Sequence, residues 1–284
     1  MIDFASLPHR FSPKFTFGRS LRVIRMSVLM TSLIAVAAVC VSKGGDVEIV
    51  QNVTPVTDDL TVTMDATRAD IEIFHGDPGN VITQLEAGNR LKVVHRVRPG
   101  SAMPTSNLLI ETFIPSKYAP RASAIVRVWV PEGTELNVTG DDVSIEIKGP
   151  LTENILINGE INLSNGDATL TDVSGDFIIN TGSGGITLNR VTGEYQAETA
   201  RGSILLRGAP TVSKVSHLAT GAGSIFVDIS SVPDLPISAI AARGAILLHD
   251  DNEPLSGSDI SIVPQDRTPS LELVTANGII DIRR

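Results

Sequence analysis

The chain is poor in aromatic residues: they make up 4% of its 284 positions, with one Trp and two Tyr. A core built around large rings is therefore excluded. A narrow interior of small and β-branched side chains is expected instead, as in repeat folds. Cysteine is nearly missing as well, and the single one, Cys40, leaves no intrachain disulfide to form. Basic residues are scarce outside the N-terminal region. Residues 1–43 hold Arg10, Lys14, Arg19, Arg22, Arg25 and Lys43 against Asp3, which leaves 17 basic and 31 acidic residues after them, a net charge of −14. A body this acidic repels phosphate backbones, so nucleic acid is not an expected partner. Anionic lipid headgroups are disfavoured for the same reason.

One long apolar run is present. Met26 to Ser42 reads MSVLMTSLIAVAAVCVS without a charge, and Arg19, Arg22 and Arg25 precede it. Positive charge ahead of an apolar run holds the N-terminus in the cytoplasm and sends the downstream chain across the membrane. Residues 26–43 are thus expected to form a signal peptide or transmembrane helix, with residues 1–25 as a cytoplasmic basic tail or long n-region. Three fates stay open: an uncleaved single-pass anchor, cleavage after a small-x-small site at Ala35-Val36-Ala37, or lipidation at Cys40.

From Asp46 onward no 3.6-residue pattern appears. Short alternating runs bounded by Gly, Asn, Asp and Pro indicate strands. Residues 46–133 form a less regular β region, with strands expected within Leu60–Asp77, Leu91–Val97, Leu108–Ile114 and Ile125–Val130, and a loop at Gly100–Asn107. Residues 134–284 repeat. Gly166, Gly175, Gly184, Gly193 and Gly202 follow one another at nine-residue steps. Positions two and four after each are mostly apolar, as in Phe177 and Ile179 or Ile204 and Leu206. Position seven is small or apolar (Val173, Gly182, Val191, Ala200, Ala209), and the residues between are mostly small and polar. The same phrase recurs after Gly159, Gly223, Gly244 and Gly278. The two steps of twenty-one residues from Gly202 to Gly223 and on to Gly244 each suggest an extra strand, near Val212–Leu218 and Ile237–Ile240. These glycines are expected at the corners of a Gly-punctuated β-solenoid or β-helix-like repeat, where tight turns need positive φ. One strand cannot bury its apolar face alone, whereas stacked strands can. A β-sandwich does not require a constant nine-residue step.

Val126–Pro150 (VRVWVPEGTELNVTGDDVSIEIKGP), with Val130-Pro131-Glu132-Gly133-Thr134 at its centre, is followed by phrases such as Val173-Ser174-Gly175-Asp176 and Ala276-Asn277-Gly278-Ile279. Together with Ala69-Asp70-Ile71-Glu72-Ile73, these resemble the bacterial putative-adhesin or "toast-rack" family of β-helical envelope proteins. The resemblance spans roughly Leu60 to Arg284. It implies a solenoid-like fold outside the cytoplasmic membrane and no catalytic residues.

Side chains capable of chemistry are dispersed. His9, His75, His95, His217 and His249 show no metal-ligand spacing. His95 lies in a basic stretch that reads as a solvated face. Ser183 sits in TGSGG, which is a turn and not a nucleophile elbow. His249–Pro254, the densest acidic cluster, reads as a polar loop, as do Asp141-Asp142 and Asp58-Asp59. The residue after each repeat glycine varies (Asp167, Asp176, Gly185, Glu194, Ser203), which does not build a ladder of Ca²⁺ sites. No metal, cofactor or catalytic group is expected. The reading is a non-catalytic, exported cell-envelope protein, tethered or exported by its N-terminal segment, whose repeats offer a surface for protein, glycan or self-association. Outward Ile178 and Leu205 point to a covered surface. The alternatives are a bactofilin-like structural polymer and a carbohydrate-active β-helix enzyme.

Overall fold

The computed structural model describes residues 37–38, 42–44 and 47–284, apart from 89–92, 115–123, 151–154, 209, 212–213, 233, 250–254 and 263–269. The described residues are all-β, and no helix among them is long and apolar enough to cross a membrane. Most of 26–43 lies outside the described residues. Ala37–Ala38 and Ser42–Gly44, at its end, are short strands antiparallel to Val53–Asn52 and Ile49–Val47, so this end of the expected helix is extended backbone.

Two parallel ladders run side by side, and the chain alternates between them. The first joins Glu135–Asp141, Asn158–Asn165, Phe177–Ser183, Tyr195–Arg201 and Ser216–Ala222 in order. The second joins Ser144–Lys148, Ala168–Thr171, Ile186–Asn189, Ile204–Arg207 and Ile225–Asp228. One strand from each ladder makes a rung. Partners in the middle of the stack are eighteen residues apart, as Ile161, Ile179 and Ala197 are. Two nine-residue units therefore make one rung, and successive units fall on opposite ladders.

Alternation explains the core. Ile145, Ala168, Ile186, Ile204 and Ile225 form one inward column of the second ladder, and Ile147, Leu170, Leu188, Leu206 and Val227 another, all essentially without solvent exposure. Stacking identical faces at the ~4.8 Å strand spacing keeps these columns continuous. On the first ladder the strands run longer, so position six after the glycine is the third inward residue. Thr181, Thr199, Thr220 and Thr275 occupy that column and are buried. Position seven therefore points outward at Gly182 and Ala200, while on the shorter second-ladder units it points inward at Val173 and Val191. Spacing alone does not distinguish the two kinds of unit.

Order in space departs from order in sequence at both ends. Val47–Thr67 and Ala69–His75 place residues 61–75 between Thr105–Phe113/Ala124–Val130 on one side and Glu135–Asp141/Ser144–Lys148 on the other. At the far end Leu271–Arg283 lies between Ser216–Asp228 and Ile237–His249. Gly223 and Gly244 are thus not neighbours, as the equal twenty-one-residue steps suggested: Gly278 stands between them. Antiparallel strands close both ends, Val94–Pro99 on Thr105–Phe113 and Asp259–Ile262 on Ile237–His249.

Candidate binding face

The corner between the ladders is built on glycine. Gly166, Gly184, Gly202, Gly223, Gly278 and Gly244 form one column, and a Cβ on any of the last five would enter the carbonyl oxygen of the glycine on the adjacent rung. Gly175 and Gly193 form a second column where the chain returns to the first ladder, with φ of 146° and 129°. Gly159 is not a corner residue. It sits inside a strand, paired with Leu136 and Phe177, and the Phe177 ring lies over it.

Polar groups near the corners stitch rung to rung. Thr199 Oγ1 donates to the Gly184 carbonyl (3.0 Å), Thr220 Oγ1 to that of Gly202 (2.9 Å), and Thr275 Oγ1 to that of Gly223 (3.1 Å). The variable residue after the glycine also has a use. Asp167 Oδ1 accepts the Gly185 N–H (2.7 Å) and Asp176 Oδ1 the Glu194 N–H (3.1 Å). A carboxylate that takes a backbone N–H one rung away satisfies a donor that the turn leaves open. Lys214 Nζ reaches Asp176 (2.6 Å) and holds its carboxyl below the usual range. On another corner Arg190 clasps Asp172 through Nε–Oδ1 (2.5 Å) and Nη2–Oδ2 (2.6 Å). The guanidinium holds the Asp172 carboxyl below its usual range, and the Asp172 side chain is only 6% exposed.

Outward residues of the first ladder form an extended surface. Ser164, Gly182, Ala200, Gly221, Ala276 and Ala242 make a column of small residues in register across the strands. Larger neighbours stand beside it: Asn162, Asn180 and Glu198 in the middle of the stack, then Val274 and Ile240 towards the end. The result is an open groove of about 690 Å³ running across the strands, on the order of 25 Å long at the strand spacing. Its walls are polar at one end and apolar at the other, where Ile240 is 46% exposed. Asn180 Nδ2 donates to Asn162 Oδ1 (3.0 Å), which fixes the polar wall.

Ile178 is outward, as expected, at the edge of a smaller cavity of about 370 Å³ beside Glu160 and Gln196. Leu205 lies against exposed Phe226 on the second ladder. His95 is not solvated: its Nδ1 meets Thr112 Oγ1 at 2.9 Å, its Nε2 is buried with no hydrogen-bond partner among the described residues, and burial lowers its pKa. His217 faces Glu272 at 3.6 Å and His249 faces Asp281 at 3.2 Å. Residues 250–254 of the acidic cluster lie outside the described residues. Among the described residues no three His, Cys, Asp or Glu side chains converge on a point that would hold a metal.

No family model and no curated protein matches the chain. Among solved structures it is similar to a "putative cell adhesion protein" of Clostridium sporogenes, at 10% identity over 82% of this chain and 98% of that one (TM-score 0.32). It is also similar to a "putative adhesin" of Parabacteroides merdae, at 10% identity over 84% and 96% (TM-score 0.36). A third, a "putative adhesin" of Bacteroides fragilis, aligns at 12% identity over 85% and 97% (TM-score 0.31).

Proposed function

We propose that the stacked rungs form a β-solenoid that works as a non-catalytic binding scaffold in the cell envelope, exported or tethered by the basic and apolar N-terminal segment. Its partner is chain-like, a glycan strand or an extended polypeptide, lying along the groove. The observation that carries this reading is the groove itself: continuous across many rungs, shallow, lined by small side chains and anchored on a rigid parallel stack. Such a surface suits a long, thin ligand contacted at repeated points better than a compact substrate held in a pocket. A structural polymer built by stacking ends is disfavoured. Antiparallel strands close both ends, and one of them carries exposed Arg96 and Arg98 together with Pro99, groups that oppose pairing of a strand edge.

The test is retention of the full chain on immobilised glycan strands and unfolded polypeptide, with Ala200→Arg and Ala276→Arg as groove-filling variants. Both positions are exposed, so folding is expected to survive. Binding to either ligand that both variants abolish supports the reading. Binding that neither variant changes places the ligand elsewhere. Protease added to intact spheroplasts reads the location: digestion of the body from outside is expected, and full protection would refute export.

A further inference from the structure

Residues 271–283 occupy a slot whose two walls come from earlier in the chain. On one side Leu271–Asn277 pairs with Ser216–Ala222, and Ile280–Arg283 with Ile225–Asp228. On the other side the whole strand pairs in parallel with Ile237–His249, from Ile237↔Leu271 to His249↔Arg283. The connection between the walls, 229–236, steps over the slot. It carries buried Ile229, Leu235 and Pro236 and turns of its own, Val232 N–H to Ile229 O (2.7 Å) and Leu235 N–H to Val232 O (3.2 Å), and it clasps both ends of the inserted strand, with Ile229 N–H donating to Arg283 O (2.9 Å) and Leu271 N–H to Pro236 O (3.2 Å). The walls are thus covalently joined by a segment outside the inserted strand, and that segment offers a donor and an acceptor to whichever strand fills the slot.

The occupant completes the longer glycine column and the buried threonine column beside it. Thr275 donates to the Gly223 carbonyl, and Gly278 fits between Gly223 and Gly244, where no side chain can enter. Leu273, Ile280 and Ile282 fill the core. Recognition therefore needs only the pattern L-x-L-x-T-x-x-G-x-I-x-I, which every copy of the chain carries. Residues 61–75, inserted in the same way at the other end, follow directly on 47–60, of which 47–55 pair with Asn80–Gly88, so they are tethered to a strand already in place.

We propose that the slot between Ser216–Asp228 and Ile237–His249 accepts the 271–283 strand of a second copy, so that two chains exchange these strands reciprocally. Every contact made in one chain is remade in the pair, and the exchange needs no new complementary surface. It is favoured by protein concentration and slowed by the need to open two ladders.

The experiment uses two full-length chains in a Cys40→Ser background, one carrying Ala219→Cys and the other Val274→Cys. These outward residues are direct partners across the slot, within the Cα range of a disulfide. The chains are mixed, unfolded in urea, refolded together and oxidised. A disulfide-linked pair of the two different chains is expected, rising with concentration and at least tenfold more abundant than with the control pair Ala219→Cys and Thr169→Cys, which lie on different ladders. Equal yields for the two pairs at every concentration would overturn the proposal. Should refolding from urea fail, the same mixtures held native at 37 °C for days give the same comparison: excess of the first pair supports exchange, and equal yields refute it.

Discussion

Gly159 and Phe177 face each other across adjacent strands, and the ring of one fills the space that the other leaves open. Phe177 Cε1 lies 3.4 Å from where a Cβ on Gly159 would stand. The next residues in this inward column are Tyr195 and Ser216, a second ring beside a second small residue. Two rings are thus accommodated in an otherwise narrow interior by a small residue on either side. Gly159→Leu should therefore overpack the column and cost about 1–3 kcal/mol. Urea unfolding of the two proteins side by side measures it, and an unchanged midpoint would mean that the ring moves aside freely.

The corner column separates two adjacent glycines. At Gly184 a Cβ would enter the Gly166 carbonyl, and φ is 147°; at Gly185 the nearest atom is the Ser203 carbonyl oxygen at 3.4 Å. Gly184→Ala is expected to lose about 2–4 kcal/mol of stability, and Gly185→Ala less than about 1 kcal/mol. Thermal unfolding of both variants decides whether the corner or general glycine content sets the requirement.

Thr199 tests the buried hydroxyl column. Its hydroxyl donates to Gly184 O and accepts from Thr181 Oγ1 at 2.9 Å. Thr199→Val keeps the shape and removes the hydroxyl, leaving the Thr181 donor to fall back on the Gly184 carbonyl at 3.2 Å. A loss of about 1–2 kcal/mol is expected, with Thr199→Ser recovering part of it in the same denaturation assay.

Tyr195 should respond in the opposite direction. Its hydroxyl is buried, and it has no hydrogen-bond partner among the described residues. Tyr195→Phe removes an unsatisfied polar group and is expected to be neutral or to stabilise by up to about 1 kcal/mol. Burial raises the phenol pKa far above the ordinary tyrosine value. An acid whose folded-state pKa is raised contributes stability that is lost as pH rises past its unfolded value, near 10. The wild-type stability should therefore fall more steeply than that of Tyr195→Phe above about pH 10, read from urea midpoints.

The acid side follows from Asp172 and Asp176, whose carboxyls are lowered by Arg190 and Lys214. A depressed folded-state pKa gives stability that is present above the unfolded value and lost as pH falls through the folded one. Stability should decline below about pH 4, and Asp172→Asn should flatten that decline. Identical pH profiles for the two proteins would show that the clasp contributes nothing to folding.

Much of the interior was legible because its period is constant. Phe177, Ile179, Ile186, Leu188, Ile204 and Leu206 fall on inward positions by alternation alone, and all are buried. The threonines were not legible, since a hydroxyl reads as solvent-facing until a carbonyl one rung away is seen to accept from it. The signal was available as T-x-x-G at Thr181, Thr199, Thr220 and Thr275. Gly159 shares the repeated phrase but is displaced by two residues from the corner register, which only pairing with Phe177 reveals. The position of 271–283 between two earlier rungs is a non-local choice that no spacing encodes. The groove was hidden because its small residues on successive rungs come together only once the register is known, whereas Ile178 and Leu205 stand out in the sequence as single apolar residues.

The displaced rungs at the two ends bear on how the protein is made. A chain that emerges from the ribosome N-terminus first can lay down residues 135–228 by simple addition, each rung templating the next. Residues 237–249 arrive before the strand that must lie beneath them, so they wait unpaired on that side until 271–283 emerges. Filling this gap is therefore a late, long-range step, and the simple addition of rungs leaves an open seam that residues 271–283 close.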